Sequence, residues 1–222
     1  MGLDMWAAGL AALLFGIHPM RAESIAWVTE RKDVLCALFY LLAMHSYWTY
    51  LETHKKSSYA LTILYGLLSM LAKPMALSLP LIFWLLDWMK RREFNRNILL
   101  EKIPHFLYII PITWWGTYSI LAQAPRSSPL EALLTWIWCA TFYIWKFLFP
   151  FQLSPLYTRP EPVNLWNPSY LIALISLGVL IFILIRFKSN RWLIFAGLFY
   201  LCSIFFLFRF DVSEFYIVAD RY

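Results

Sequence analysis

The segment His18–Asp33, HPMRAESIAWVTERKD, carries the densest mixture of acids and bases in the chain. His18-Pro19 closes one apolar stretch, and Pro19 suits the first position of a new helix. A short amphipathic helix is expected from Pro19, with Met20, Ile25 and Val28 as its apolar members. Glu23, Trp27, Glu30 and Arg31 then fall three, four and seven residues apart, hence on one helical face. Asp33 sits at the mouth of a helix starting at Val34, where the helix dipole favours a carboxylate. Two readings fit this spacing. One is a solvated interfacial helix with an acidic cap. The other is chemistry: carboxylates that act as a base or bind a divalent cation, beside cations that hold a phosphate.

Other charged residues stand singly. Lys73, in Ala72-Lys73-Pro74-Met75, separates two apolar segments. It reads either as a snorkelling lysine or as a point charge for an anionic headgroup. Asp87, in FWLLDWMKRR, lies four residues before Arg91, the spacing of a helical ion pair. Lys146, one turn before Pro150, is placed to snorkel, and His45 beside Ser46 is placed for a helix–helix hydrogen bond. The terminal RFDVSEFYIVADRY reads as an interfacial belt, or at Arg221 as a headgroup clamp. His18, His45, His54 and His105 share no zinc-ligand spacing. There is no Gly-rich phosphate loop and no GxSxG elbow.

These residues are set in an unusually apolar chain. Of 222 residues, 61% are hydrophobic, 19% aromatic and only 14% charged, with a mean hydropathy of +0.61. Soluble domains are nearer ~45–50% apolar and ~25% charged. A soluble fold and intrinsic disorder are excluded on those numbers. Three cysteines, all in apolar runs, exclude a disulfide scaffold and read as small buried hydrophobes. The fold class is all-α, a polytopic bundle of about seven or eight membrane segments, because lipid demands paired backbone. The apolar segments lie at 6–17, 34–51, 58–72, 75–89, 103–122, 131–149, 169–186 and 191–208.

Net charge is +6, which fits membrane loops and lipid phosphates rather than nucleic acid. The basic loops ETHKKSS, KRREFNRN and RFKSNR are expected in the cytoplasm, and the balanced 18–33 loop outside it. Three segments separate the last two loops, an odd number. Either one segment is re-entrant or interfacial, with 103–122 the first candidate because Pro104 and Pro111 break it, or one basic loop lies outside. Five prolines between 150 and 168 leave neither helix nor central strand there, so an ordered loop on the active face is expected.

The ordered motifs resemble those of the transmembrane and tetratricopeptide-repeat-containing O-mannosyltransferases and their bacterial relatives. HPMRAESIAWVTERKDVL resembles that family's HP-x-x-x-E-(S/A)-(I/V)-A-W-V-x-x-R-x-D-V-L signature. LAKPMALSLPLIFWLLDW, EKIPHF, KFLFPFQLSPLY and the terminal ADRY resemble four further family segments in the same order. The resemblance implies a fold of the GT-C glycosyltransferase type. It implies transfer of a sugar, mannose-like, from a polyprenyl-phosphate carrier to a protein or lipid acceptor on the extracytoplasmic face. The setting would be a multi-pass membrane protein of a bacterial inner membrane or an endoplasmic-reticulum-like membrane. It points to Asp33 and Glu23 as catalytic, and to Arg31, Lys73 and Arg221 as phosphate-binding. His18, Trp27, Lys146 and Asp220 would support them. No cofactor is implied beyond the option of a divalent cation. By the same resemblance, residues 1–222 read as one partial transmembrane domain lacking an upstream helix with its acidic loop and downstream repeats. The rival function is a non-catalytic membrane scaffold or lipid-phosphate-binding subunit.

Overall fold

A computed structural model describes residues 4–121, 128–207 and 216–218. It contains helices α1 (Met5–Ile17), α2 (Ala22–Ala26), α3 (Arg31–Thr53), α4 (Lys56–Ala72), α5 (Leu79–Met89), α6 (Arg96–Leu121), α7 (Pro129–Leu148), α8 (Pro168–Arg186) and α9 (Arg191–Ile204). A short antiparallel ribbon pairs β1 (Tyr157–Thr158) with β2 (Tyr216–Val218). The chain divides into two compact units, Met1–Gly116 and Thr117–Tyr222. Each apolar segment of the sequence contains a helix. Among the described residues, Val28–Thr53 and Pro168–Arg186 are long and apolar enough to cross a membrane.

Local chemistry sets the ends. Asp4 accepts the Met5 N–H to start α1. Ser128 and Glu131 form a capping box on α7, with Pro129 in its first turn. Asn167 and Asn190 cap α8 and α9. α3 ends where His54 takes a left-handed conformation, φ 53°, which turns the chain straight into α4.

In the first unit, α4 runs back along α3, with Ser69 Oγ donating to Cys36 O at 2.9 Å. α5 then runs alongside α3: Tyr40 Oη lies 2.8 Å from Ser78 Oγ, and Tyr47 Oη donates to Asp87 at 2.8 Å. The 18–33 loop and Lys73 therefore sit at one end of α3, and the ETHKKSS and KRREFNRN loops at the other. Asp33 and Tyr50 are separated by roughly 26 Å of helix at 1.5 Å per residue.

The basic end is held by a buried charge network. Lys102, fully buried, donates to Asp87 Oδ2 at 2.6 Å and to Tyr47 Oη. Arg92 donates to Asp87 Oδ1 at 2.9 Å and grips Glu101 with two bonds, at 2.8 and 3.1 Å. Tyr50 Oη donates to Glu101 Oε1 at 2.9 Å, and Lys90 pairs with Glu52 at 2.8 Å. The expected Asp87–Arg91 pair is thus replaced by Asp87–Arg92 and Asp87–Lys102. Arg91 has a positive φ of 55°, so the helix has already ended and the i,i+4 geometry is lost.

Two further expectations change. α6 is continuous through Pro104 and Pro111 and is not broken. Each proline removes one backbone donor, and the remaining ladder of a long helix absorbs that loss. The proline-rich 150–168 stretch is a loop as expected, and its two-residue β1 is no central strand but half of a two-stranded ribbon, where a flanking proline is tolerated. His45 is exposed rather than packed between helices.

Two outcomes follow from the network. Lys102→Met removes one of the two cations that face the buried Asp87 carboxylate, leaving Arg92, and should lower stability by about 1–3 kcal/mol. The double variant with Asp87→Leu should recover part of that loss in detergent thermal melts. Burial alone would raise the Glu101 pKa, but hydrogen bonds from Arg92 and Tyr50 outweigh it and hold the group below its ordinary value. Its stabilising effect is then complete above the unfolded-state value of about 4.3 and is lost as pH falls through the lower folded-state value. Melts against pH should show Tm dropping below about pH 4.3, with that drop shallower in Glu101→Gln.

Candidate functional site

The first motif folds as three short pieces rather than one helix: a 3-10 turn at Pro19–Arg21, then α2, then a 3-10 turn at Val28–Glu30. His18 caps the first, its Nδ1 accepting the Met20 N–H at 3.3 Å. Trp27 is extended, φ −86° and ψ 114°, and breaks the helix. The break separates the residues expected on one face. Glu30 turns inward and is buried, while Trp27 and Arg31 are exposed. The apolar face is inverted too. Met20 is buried, but Ile25 is 54% and Val28 68% exposed. Polar Ser24 and Glu30 occupy the interior instead, because their partners are there.

Those partners are Asp33 and Lys73. α3 begins at Arg31, so Asp33 lies within its first turn. Lys73 Nζ sits 2.6 Å from Asp33 Oδ1 and 3.7 Å from Glu30 Oε2. Ser24 Oγ donates to Asp33 Oδ2 at 3.4 Å. Lys32 faces Glu30 at 3.7 Å from the solvent side. Pro74 ends α4 at Ala72 and so leaves Lys73 extended, its side chain aimed back at α3. Two motifs far apart in sequence thereby meet in one ion cluster.

Two adjoining cavities open beside it, sharing Ser24, Ile25 and Val34. The smaller, about 160 Å³, is also lined by Phe15, Arg21 and Asp33. The larger, about 440 Å³, adds Arg31, Leu35 and Leu38. A cation above an apolar wall suits an amphiphile with an anionic head. Glu23 is half-buried on α2, but the neighbouring Ser24 is the residue that reaches Asp33. Ser24 is the member sequence reasoning missed, and Glu30, expected on the face with Glu23, is the carboxylate that joins Asp33 at Lys73. The only signal for Ser24 was its place inside the first motif.

Lys146 belongs to the second unit. It donates to the carbonyls of Phe151 at 2.6 Å and Gln152 at 3.1 Å, and lies 4.8 Å from the Tyr157 ring centroid. It therefore folds back onto its own loop instead of snorkelling. Asp220 and Arg221 lie outside the described residues. Among the described residues no three His, Cys, Asp or Glu side chains gather as a metal site.

No family model matches the chain, and no solved structure matches it. Curated proteins do. The chain is 33% identical over 106 residues to Protein O-mannosyl-transferase TMTC4 of Homo sapiens, covering 45% of this chain and 14% of that protein. It is 27% identical over 174 residues to Protein O-mannosyl-transferase TMTC2 of Mus musculus, covering 65% of this chain and 21% of that protein. It is 34% identical over 77 residues to Protein O-mannosyl-transferase Tmtc1 of Drosophila melanogaster, covering 35% and 9%. In each case the chain spans a minor part of the relative's length. The similarity is thus to a portion of proteins named O-mannosyl-transferases, in agreement with the resemblance carried by the motifs.

Proposed function

We propose that this chain is the membrane core of a glycosyltransferase. It moves a sugar, mannose by the names of its relatives, from a polyprenyl-phosphate carrier to a protein or lipid acceptor on the extracytoplasmic face. The observation that carries this reading is the meeting of the first motif with Lys73 beside cavities lined by arginine and apolar side chains. A lipid-borne phosphate needs a cation for its head and apolar surface for its tail. Arg31 with Val34, Leu35 and Leu38 offers both. Transfer also needs a base for the acceptor hydroxyl as the sugar–phosphate bond breaks. Asp33 is the candidate, held in place by Lys73 and Ser24, with Glu23 on the adjoining helix.

The placement of the two loop sets supports the membrane orientation. The roughly 26 Å of α3 between Asp33 and Tyr50 approaches the ~30 Å of a bilayer's hydrocarbon core. With the ETHKKSS and KRREFNRN loops in the cytoplasm, the 18–33 cluster faces the other side, in a multi-pass bundle of seven or eight segments. Leu35, Leu38 and Leu41 on α3, and most of α8, are exposed apolar surface that lipid would cover.

One observation favours the rival reading of a lipid-phosphate-binding subunit without catalysis. Both Asp33 oxygens already have partners, so the cluster is a complete structural lock without substrate. The two readings separate in reconstituted vesicles supplied with radiolabelled polyprenyl-phosphate mannose and acceptor peptide. Asp33→Asn and Arg31→Gln should each reduce transfer at least about 100-fold at unchanged protein level. Binding of the donor without transfer by the unaltered protein supports the rival. Normal transfer by both variants overturns the site.

A further inference from the structure

The ion cluster leaves Lys73 poorly suited to hold a phosphate. Its single charge faces Asp33 at 2.6 Å and Glu30 at 3.7 Å. An approaching phosphate would meet two carboxylates around one ammonium, and like charges repel. Lys73 is satisfied as a positioning residue for Asp33.

Arg21 is in the opposite condition. It is half-buried, with its guanidinium 5.0 Å over the Phe15 ring and its side chain on the wall of the 160 Å³ cavity. Among the described residues no acceptor lies within hydrogen-bond or ion-pair distance of it. Burial pushes its pKa down, and the charge of Asp33 only partly offsets this. A guanidinium carries five donors in a planar fork, and withdrawing it from water without acceptors is costly. The fork also matches the geometry of a phosphate. Its cavity adjoins the one lined by Arg31, and both share Ser24, Ile25 and Val34.

We propose that Arg21, and not Lys73, is the second cation that receives the headgroup of a phosphate monoester on an apolar chain, acting beside Arg31. This rests on the reading above for the nature of the ligand. Arg21 and Arg31 clasp the phosphate across Ser24, and the chain lies along Val34, Leu35 and Leu38.

The test is equilibrium binding of a radiolabelled long-chain polyprenyl monophosphate to the purified protein in detergent micelles, with Tm measured in parallel. Arg21→Gln should weaken binding roughly tenfold or more, the loss expected for one charge-assisted contact, at unchanged Tm. Arg21→Lys, which keeps the charge but loses the fork, should fall between. Should the Gln variant melt early, Arg21→Met keeps the stem over Phe15, and retained affinity there overturns the proposal. Lys73→Gln should lower Tm. An affinity loss in Lys73→Gln equal to that of Arg21→Gln, at native Tm, also overturns it. Inorganic phosphate should compete only weakly; competition as strong as by the lipid marks a free-phosphate site and overturns the lipid assignment. Wild-type affinity in Arg21→Gln overturns the Arg21 assignment alone and leaves the donor site standing. Failure of the unaltered protein to bind the lipid overturns both.

Discussion

Asp87 sits in apolar company near the end of α5, and its carboxylate is met by side chains from three other places in the chain. Tyr47 comes from α3, Arg92 from the turn after α5, and Lys102 from α6. A buried carboxylate without a partner is so unfavourable that this arrangement admits few alternatives. It fixes the rotation of α3 and α6 about their axes and the level at which α5 stands beside them. The Asp33–Lys73 pair then repeats the device at the opposite end, between α3 and α4. Between the two lie contacts of small reach, such as Ser69 on the Cys36 carbonyl and Tyr40 on Ser78. Charge supplies the registration, and apolar packing fills the space between.

The same logic explains the inverted loop. In a water-soluble protein Ile25 and Val28 would turn inward and Ser24 and Glu30 outward. Here the interior at that end contains Lys73 and Asp33. Exposed Ile25, Val28, Leu35 and Leu38 then present one apolar outer surface, while polar atoms gather inside. The carboxylates of Asp33 and Glu30 are thereby brought together under an apolar outer surface, with Arg21 and Arg31 on the walls of the adjoining cavities.

Much of the fold was legible because periodicity and composition speak directly about helices. All eight apolar segments contain one. The site was legible in part. The motif order pointed to Asp33 and Lys73, and the structure places those two in contact. What stayed hidden depended on long-range partners. Glu30 looks like a surface acid until Lys73 arrives from another helix. Ser24 looks incidental until Asp33 lies opposite. Asp87 was paired by spacing with Arg91, because a sequence does not show that the backbone turns left-handed there. The prolines of α6 misled for the converse reason. A proline breaks a short helix, but here the long helix on either side carries the segment through.

The left-handed turn at His54 and the straight run of α3 before it have an evolutionary consequence. α3 is one rigid rod with a matched charge assembly at each end, and its exposed apolar residues can drift among apolar types at little cost. Its length cannot drift in the same way. A single inserted residue between Asp33 and Tyr47 would lengthen the rod by about 1.5 Å and rotate one end against the other by about 100°. Tyr47 would then point away from Asp87 whenever Asp33 still met Lys73. The segment is therefore free in composition and fixed in count, and related chains should differ here by substitution and not by insertion or deletion.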